Sequence, residues 1–352
     1  MASTSGPGSK IDRSNSVTPP TPTTVIECFQ KKLPELKRGN EKHHSVGASG
    51  TTTKQAVVPK VLWCGSQIPL EEAADRALNN ERVLTDRSGK PRITTNRHIA
   101  SDLKSMALES EEDVVFAFNL YIMEPITEIL KVLYPETMWT FSSECTDARL
   151  MKVSPTQAFE DENKATQKKK RKTTDGMASG SKGDDKHNDA TKEDSTGNLR
   201  YDMIFHELLA SGEKGRTIAV IEFKKPNQVR YRDFAGALLS IKEKETPSGK
   251  AEAQKLKDNT KKLRGNADSY TKQVCKYASQ RGCHHAALFN WGHLLMYDFF
   301  QLGKPGLEGT AGDEADLIWV HEGAMTEEYD RSGLIRKAML GWLLNAFKDL
   351  FG

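Results

Sequence analysis

The chain reads as an α/β (α+β) domain with a central mixed sheet flanked by helices. Three observations predict this. "TIAVI", residues 217–221, is entirely apolar or β-branched, as a buried strand requires. "LRYDMIFHELL", ending at Leu209, is a second extended run, and "ASGEKGR" between them has turn composition, so the two form an antiparallel hairpin. Helix-like and strand-like patterns then succeed one another along the chain, the order from which helices are layered on a sheet.

The elements follow in turn. Residues 1–60 are rich in Ser, Thr, Pro, Gly and Lys, including "SVTPPTPTT", and bury too little apolar surface to offset chain entropy, so they are expected as a disordered N-terminal tail. The domain then spans 61–352, opening with weak structure at "PKVLWCG" and a short helix through "PLEEAADRALNN". Residues 110–134 place Val115, Phe118, Ile122, Ile129 and Leu133 at helical spacing, with acids in the first turn and Pro125 set to kink or divide the helix. Residues 139–153 read as extended. Residues 160–198, from "KKKRK" into a Gly-, Ser-, Asp- and Lys-rich stretch, read as a disordered insertion inside the domain. A helical stretch is expected near 231–244, then a Lys-rich linker. "NADSYTKQVCKYASQRG" reads as a helix stopped at Gly282. "CHHAALFN", "GHLLMYDFF" and "ADLIWVH" are strand candidates. A final helix over about 331–350 carries the stripe Leu334, Ala338, Met339, Trp342, Leu343, Ala346 and Phe347.

Composition narrows the function classes. Hydrophobic residues make up 37% and charged residues 28%, which fits a real core beside polar segments. The net charge of +3 announces no global attraction to nucleic acid, so local charge must carry that argument. The five cysteines are odd in number and contain no CxxC, which argues against a zinc ribbon or a disulfide framework and for a reducing, intracellular setting, nuclear or cytoplasmic. The first residues lack an apolar run, so no signal peptide is expected. No stretch of 18 apolar residues occurs, so no membrane partner is expected. "KKKRK", residues 168–172, is a solvated charge run or a nuclear-import signal read by an import receptor, and it favours the nucleus.

The chemistry concentrates at the hairpin. Asp202 lies in its first strand and Glu222 near the end of the second, so pairing brings two carboxylates together. Side chains alternate along a strand, so Glu222 and Lys224 share one face and Phe223 takes the other. Paired carboxylates are hard oxygen ligands for Mg²⁺ or Mn²⁺. A lysine beside them can hold a water or stabilise charge on a phosphate in phosphodiester hydrolysis.

These residues resemble the PD-(D/E)XK nuclease superfamily, the restriction-endonuclease-like fold. "YDMIF" would supply the Asp and "IEFKK" the Glu-x-Lys. "QVCKY" adds Gln273 and Tyr277, a Gln-x-x-x-Tyr similar to that of the recombination-exonuclease branch. The resemblance implies a core of helix, three-stranded meander, helix and strand from about 110 to 300. It implies a metal-dependent nuclease of DNA or RNA, with Asp202, Glu222 and the Phe223 backbone carbonyl on the metal and Lys224 stabilising charge. The family's first helix often offers a further Glu. Glu112 is placed there by the Val115/Ile122 stripe, with Glu124 and Glu128 as alternatives. Tyr201 stands where the family often has a proline.

Plainer roles compete. Glu222 and Lys224 also fit an exposed ion pair worth at most ~1 kcal/mol, and Gln273 with Tyr277 a packed helix pair. His284 and His285, being adjacent in a strand, face opposite ways and do not share an ion. Cys275 and Cys283 fit small core residues. Residues 242–272 carry nine Lys/Arg against five Asp/Glu, which suits either a phosphate track or a solvated helix. Trp342 belongs to the core or to a homodimer surface. The alternative to an enzyme is a non-catalytic module of this fold that binds nucleic acid or a protein partner.

Overall fold

A computed structural model describes residues 24–38, 57–92, 107–145, 201–258, 262–307, 310–322 and 334–352, with the backbone alone at 143–145 and 201–202. The strands are β1 (Lys37–Arg38), β2 (Val61–Gly65), β3 (Ala107–Leu108), β4 (Trp139–Cys145), β5 (Tyr201–Leu208), β6 (Lys214–Phe223), β7 (Leu238–Ser240), β8 (His285–Phe289), β9 (His293–Asp298) and β10 (Glu314–His321). The helices are α1 (Val25–Gln30), α2 (Ile68–Leu78), α3 (Glu81–Leu84), α4 (Glu111–Phe118), α5 (Glu124–Leu133), α6 (Tyr231–Phe234), α7 (Pro247–Asp258), α8 (Asn266–Arg281) and α9 (Ile335–Phe351).

Eight strands form one mixed sheet in the order β4-β5-β6-β8-β9-β10-β2-β7. β4, β5 and β6 make an antiparallel meander. The chain then crosses through α8 and returns as β8, parallel to β6. β9 and β10 continue antiparallel, and β2 and β7 close the far edge in parallel. β1 and β3 pair separately.

β6 shows why its sequence is nearly all apolar. Ala219, Ile221 and Phe223 point into a core shared with α2, α4, α5 and α9, whereas Val220 points into a second core under α6 and α8. Both faces are covered, so both sets of side chains leave water. α7 adds a smaller cluster over Val61 and Trp63 of β2. Gly282 ends α8 in the left-handed conformation at φ 60, where glycine carries no Cβ penalty.

Several expectations are corrected. Residues 24–38 lie inside the span assigned to a disordered tail, yet α1 starts with a Thr24–Glu27 capping box and buries Val25 and Phe29. "PKVLWCG" is not weak structure, because β2 joins the sheet and buries Val61, Leu62 and Trp63. The stretch near 231–244 is only a short helix, two 3₁₀ turns and β7. The Lys-rich linker contains α7, whose Ala253 and Leu256 are buried. Helix 110–134 divides at a π-helical segment, Asn119–Met123, just before Pro125. The rest of 1–60, residues 146–153, the insertion 160–198 and "KKKRK" at 168–172 lie outside the described residues. No described helix is long and apolar enough to cross a membrane.

Candidate active site

β6 ends at the meeting point of the two helical layers. Asp202 and Glu222 are register partners on adjacent antiparallel strands, which sets their Cα atoms about 4.5–5.5 Å apart. Glu222 is 1% exposed and Lys224 5%. The Lys224 ammonium contacts the Glu222 carboxylate. It also lies 3.8 Å from a carboxylate oxygen of Glu111 and 5.2 Å from the centre of the Tyr270 ring. The Lys224 backbone N–H donates to Phe289 O at 2.9 Å, so the residue after the strand is still tied to the sheet. Phe223 takes the opposite face, its ring 4.9 Å from that of Phe118.

The sequence placed Glu112 at the site, and the structure corrects this to its neighbour Glu111, which faces Lys224. The buried face of α4 passes through Val114, Ala117 and Phe118 rather than through Val115, which is only half-buried. That phase turns Glu111 inward, one turn before Val114, and leaves Glu112 exposed. A capping box fixes where the helix starts. The Ser110 hydroxyl accepts from Asp113 N at 3.1 Å, and the Asp113 carboxylate accepts from Ser110 N at 2.7 Å. Glu124 and Glu128 instead line a separate cavity of about 350 Å³ with Asn119, Thr127 and Phe141.

α8 supplies the other wall. Asn266, Tyr270, Gln273 and Tyr277 recur at helical spacing. The Tyr270 hydroxyl donates to Gln228 Oε1 at 2.6 Å, and Asn266 Nδ2 donates to the Gln228 carbonyl at 3.2 Å. Burial pushes the Tyr270 phenol far above its ordinary range, and the negative charges of Glu111 and Glu222 push it further. Gln273 is buried, and its Oε1 has no hydrogen-bond partner among the described residues. Tyr277 packs partly buried against the core under α8. Tyr270 and Gln228 carry no family signature in the sequence. Only the helical spacing of Tyr270 from Gln273 pointed toward it.

The other sequence candidates fall elsewhere. The His285 imidazole sits 2.7 Å from the Asp349 carboxylate, while His284 is exposed. Burial pushes the Cys275 thiol well up and that of Cys283 to about 12, so both stay protonated and unreactive at neutral pH. Trp342 is buried in the core, which leaves no homodimer surface at that side chain. In the basic stretch, Lys244, Lys250, Lys255, Lys257 and Lys272 each face a carboxylate, which weakens the case for a phosphate track there.

Glu222 and Glu111 are hard oxygen donors beside one ammonium, with the Asp202 backbone in register, a donor set that suits Mg²⁺ or Mn²⁺ better than a softer ion. Among the described side chains, no group of three or more His, Cys, Asp and Glu is gathered for a metal. No family model, curated protein or solved structure matches the chain.

Proposed function

We propose that this chain is a Mg²⁺- or Mn²⁺-dependent nuclease that hydrolyses phosphodiester bonds of DNA or RNA on a PD-(D/E)XK nuclease-like core. The observation that carries the reading is the convergence of Glu222, Lys224 and Glu111 at the end of the strand whose register partner is Asp202. The order helix, antiparallel meander, helix and parallel strand supports the fold assignment.

Asp202, Glu222 and Glu111 are the side chains that would hold the ion, with the Phe223 carbonyl beside them. Such an ion supplies Lewis-acid polarisation of a phosphoryl oxygen and acidifies water. Lys224 places a positive charge where negative charge develops on the phosphate. Gln273 and Tyr277 support the site from α8. In the reaction water adds to phosphorus, the bond from phosphorus to the leaving oxygen breaks, and that oxygen takes a proton. The partner is therefore nucleic acid. Residues 168–172 are proposed to bind an import receptor and carry the chain into the nucleus, which a fluorescent fusion with those residues changed to alanine tests.

Burial favours a second reading. With Glu222 at 1% and Lys224 at 5% exposure, the pair also suits a non-catalytic module of the same fold whose ion pair is structural. Single- and double-stranded DNA and RNA, incubated with and without Mg²⁺ or Mn²⁺, separate the two. The nuclease gives metal-dependent cleavage that slows at least ~100-fold in Glu222→Ala and in Lys224→Ala, comparable to losing one strong electrostatic stabiliser. Binding without cleavage selects the module, and cleavage that survives both substitutions removes the proposed site.

A further inference from the structure

We infer that Tyr270 is a positioning residue for Lys224: its ring face holds the ammonium in place beside Glu222, and Gln228 holds the ring. The catalytic consequence rests on the nuclease reading. The contact itself does not.

A lysine ammonium is a compact charge on a flexible four-carbon stem, so one ion pair does not fix its position. The Lys224 ammonium is approached by Glu222 from the end of β6, by Glu111 from α4 and by the Tyr270 ring from α8. The ring centre is 5.2 Å away, inside the ~6 Å reach of a cation–π contact. Tyr270 is 4% exposed, and its hydroxyl is anchored on Gln228 Oε1. The Gln228 carbonyl is anchored in turn by Asn266, one helical turn before Tyr270. Asn227, at φ 64, turns the chain out of β6 so that Gln228 reaches α8. Asn tolerates that left-handed conformation better than most residues. The loop that leaves the site and the helix that covers it are thus tied at two points around one ring. The ring cannot swing away from Lys224 without breaking a part-buried hydrogen bond.

The test has an arm that needs no activity. Protons held over an aromatic face resonate upfield, so the Lys224 side-chain methylenes should be displaced in spectra of ¹³C-lysine-labelled protein. Their assignment comes from the signal that Lys224→Met removes. Tyr270→Leu should return that signal to its ordinary position, whereas Tyr270→Phe, which keeps the ring, should retain most of the shift. In the kinetic arm, Tyr270→Leu should lower kcat at least about tenfold with little change in KM, the pattern of a misplaced catalytic group. Tyr270→Phe should recover most of the rate. An ordinary Lys224 shift in the wild type overturns the inference, and Lys224→Arg, which keeps the charge, gives the same assignment should Lys224→Met fail to fold. It is also overturned by a cleaving enzyme in which Tyr270→Leu abolishes the shift and leaves kcat unchanged. A displaced signal in a protein that cleaves nothing upholds the ring–ammonium contact and removes only the nuclease reading.

Discussion

The Lys224 ammonium contacts Glu222 and stands 3.8 Å from Glu111, so one cation joins the end of β6 to the first turn of α4. The Glu222–Lys224 pair is nearly sealed from water, with side-chain exposures of 1% and 7%. Such a pair is costly to break from one side. Lys224→Met leaves a buried carboxylate without its ammonium and should cost about 3–5 kcal/mol in urea denaturation. Glu222→Gln/Lys224→Met should recover most of that loss, because neither charge remains. Strictly additive losses would mean that the two groups do not depend on each other.

Glu111 and Glu112 are neighbours with opposite prospects. Glu111 faces Lys224, while Glu112 is exposed. Glu111→Ala should lower metal-dependent cleavage at least about tenfold, as loss of one electrostatic contact near the reacting phosphate does. Glu112→Ala should stay within about twofold and change stability by less than ~0.5 kcal/mol. The reverse ranking in the cleavage assay would put the helix phase at this site in error.

The difference between those two glutamates marks where the sequence stopped being legible. The hairpin, α8 with its Gly282 stop and the strands β8, β9 and β10 were readable, because apolar runs bounded by turn residues and a glycine stop are local signals. The juxtaposition of Asp202 and Glu222 followed from the hairpin. The phase of α4 did not, because Val114 and Val115 are both valines and only packing against the sheet decides which one turns inward. The π segment before Pro125 hides the phase further by adding residues to one turn. α1 and α7 were lost in polar composition, since each buries only a few apolar residues and gains its stability from contacts distant in sequence. Tyr270 looked like any tyrosine of an amphipathic helix until Lys224 was found beneath it.

Gly341 makes a close approach possible. A Cβ at this position would sit 1.9 Å from the Leu70 carbonyl oxygen, a backbone atom that cannot rotate away. α9 and α2 must therefore separate to accept any side chain. Gly341→Ala should destabilise the fold by about 1–3 kcal/mol or more, visible as a lower Tm. An unchanged Tm would mean that the two helices slide apart at no cost.

Glu322 should make stability depend on pH. Burial raises its carboxyl to about 7 from an ordinary 4.5. The positive charges of Arg336 and Lys32 oppose that rise only in part. Below the unfolded value both states hold the proton and the group contributes nothing. Between 4.5 and about 7 the unfolded chain releases its proton first, so stability falls as pH rises and then levels off. Glu322→Gln should flatten the urea midpoint between pH 5 and 8. A wild-type midpoint that climbs across this window would contradict the assignment.

Arg336 fastens α1 to the rest of the molecule. Its Nε donates to Tyr121 O at 2.7 Å, and its Nη1 donates to Cys28 O and, at 3.3 Å, to Lys31 O. Arg336 is 5% exposed, so the carbonyls it serves have little access to water as a substitute. Burial also keeps the Cys28 thiol above its ordinary pKa. Arg336→Met should let α1 open locally before the domain unfolds. In a Cys64→Ser/Cys145→Ser background, Cys28 should then react with a thiol reagent at least about tenfold faster, because reaction follows the population of the open form. Labelling at the wild-type rate would show that Val25 and Phe29 hold α1 on the core without the arginine.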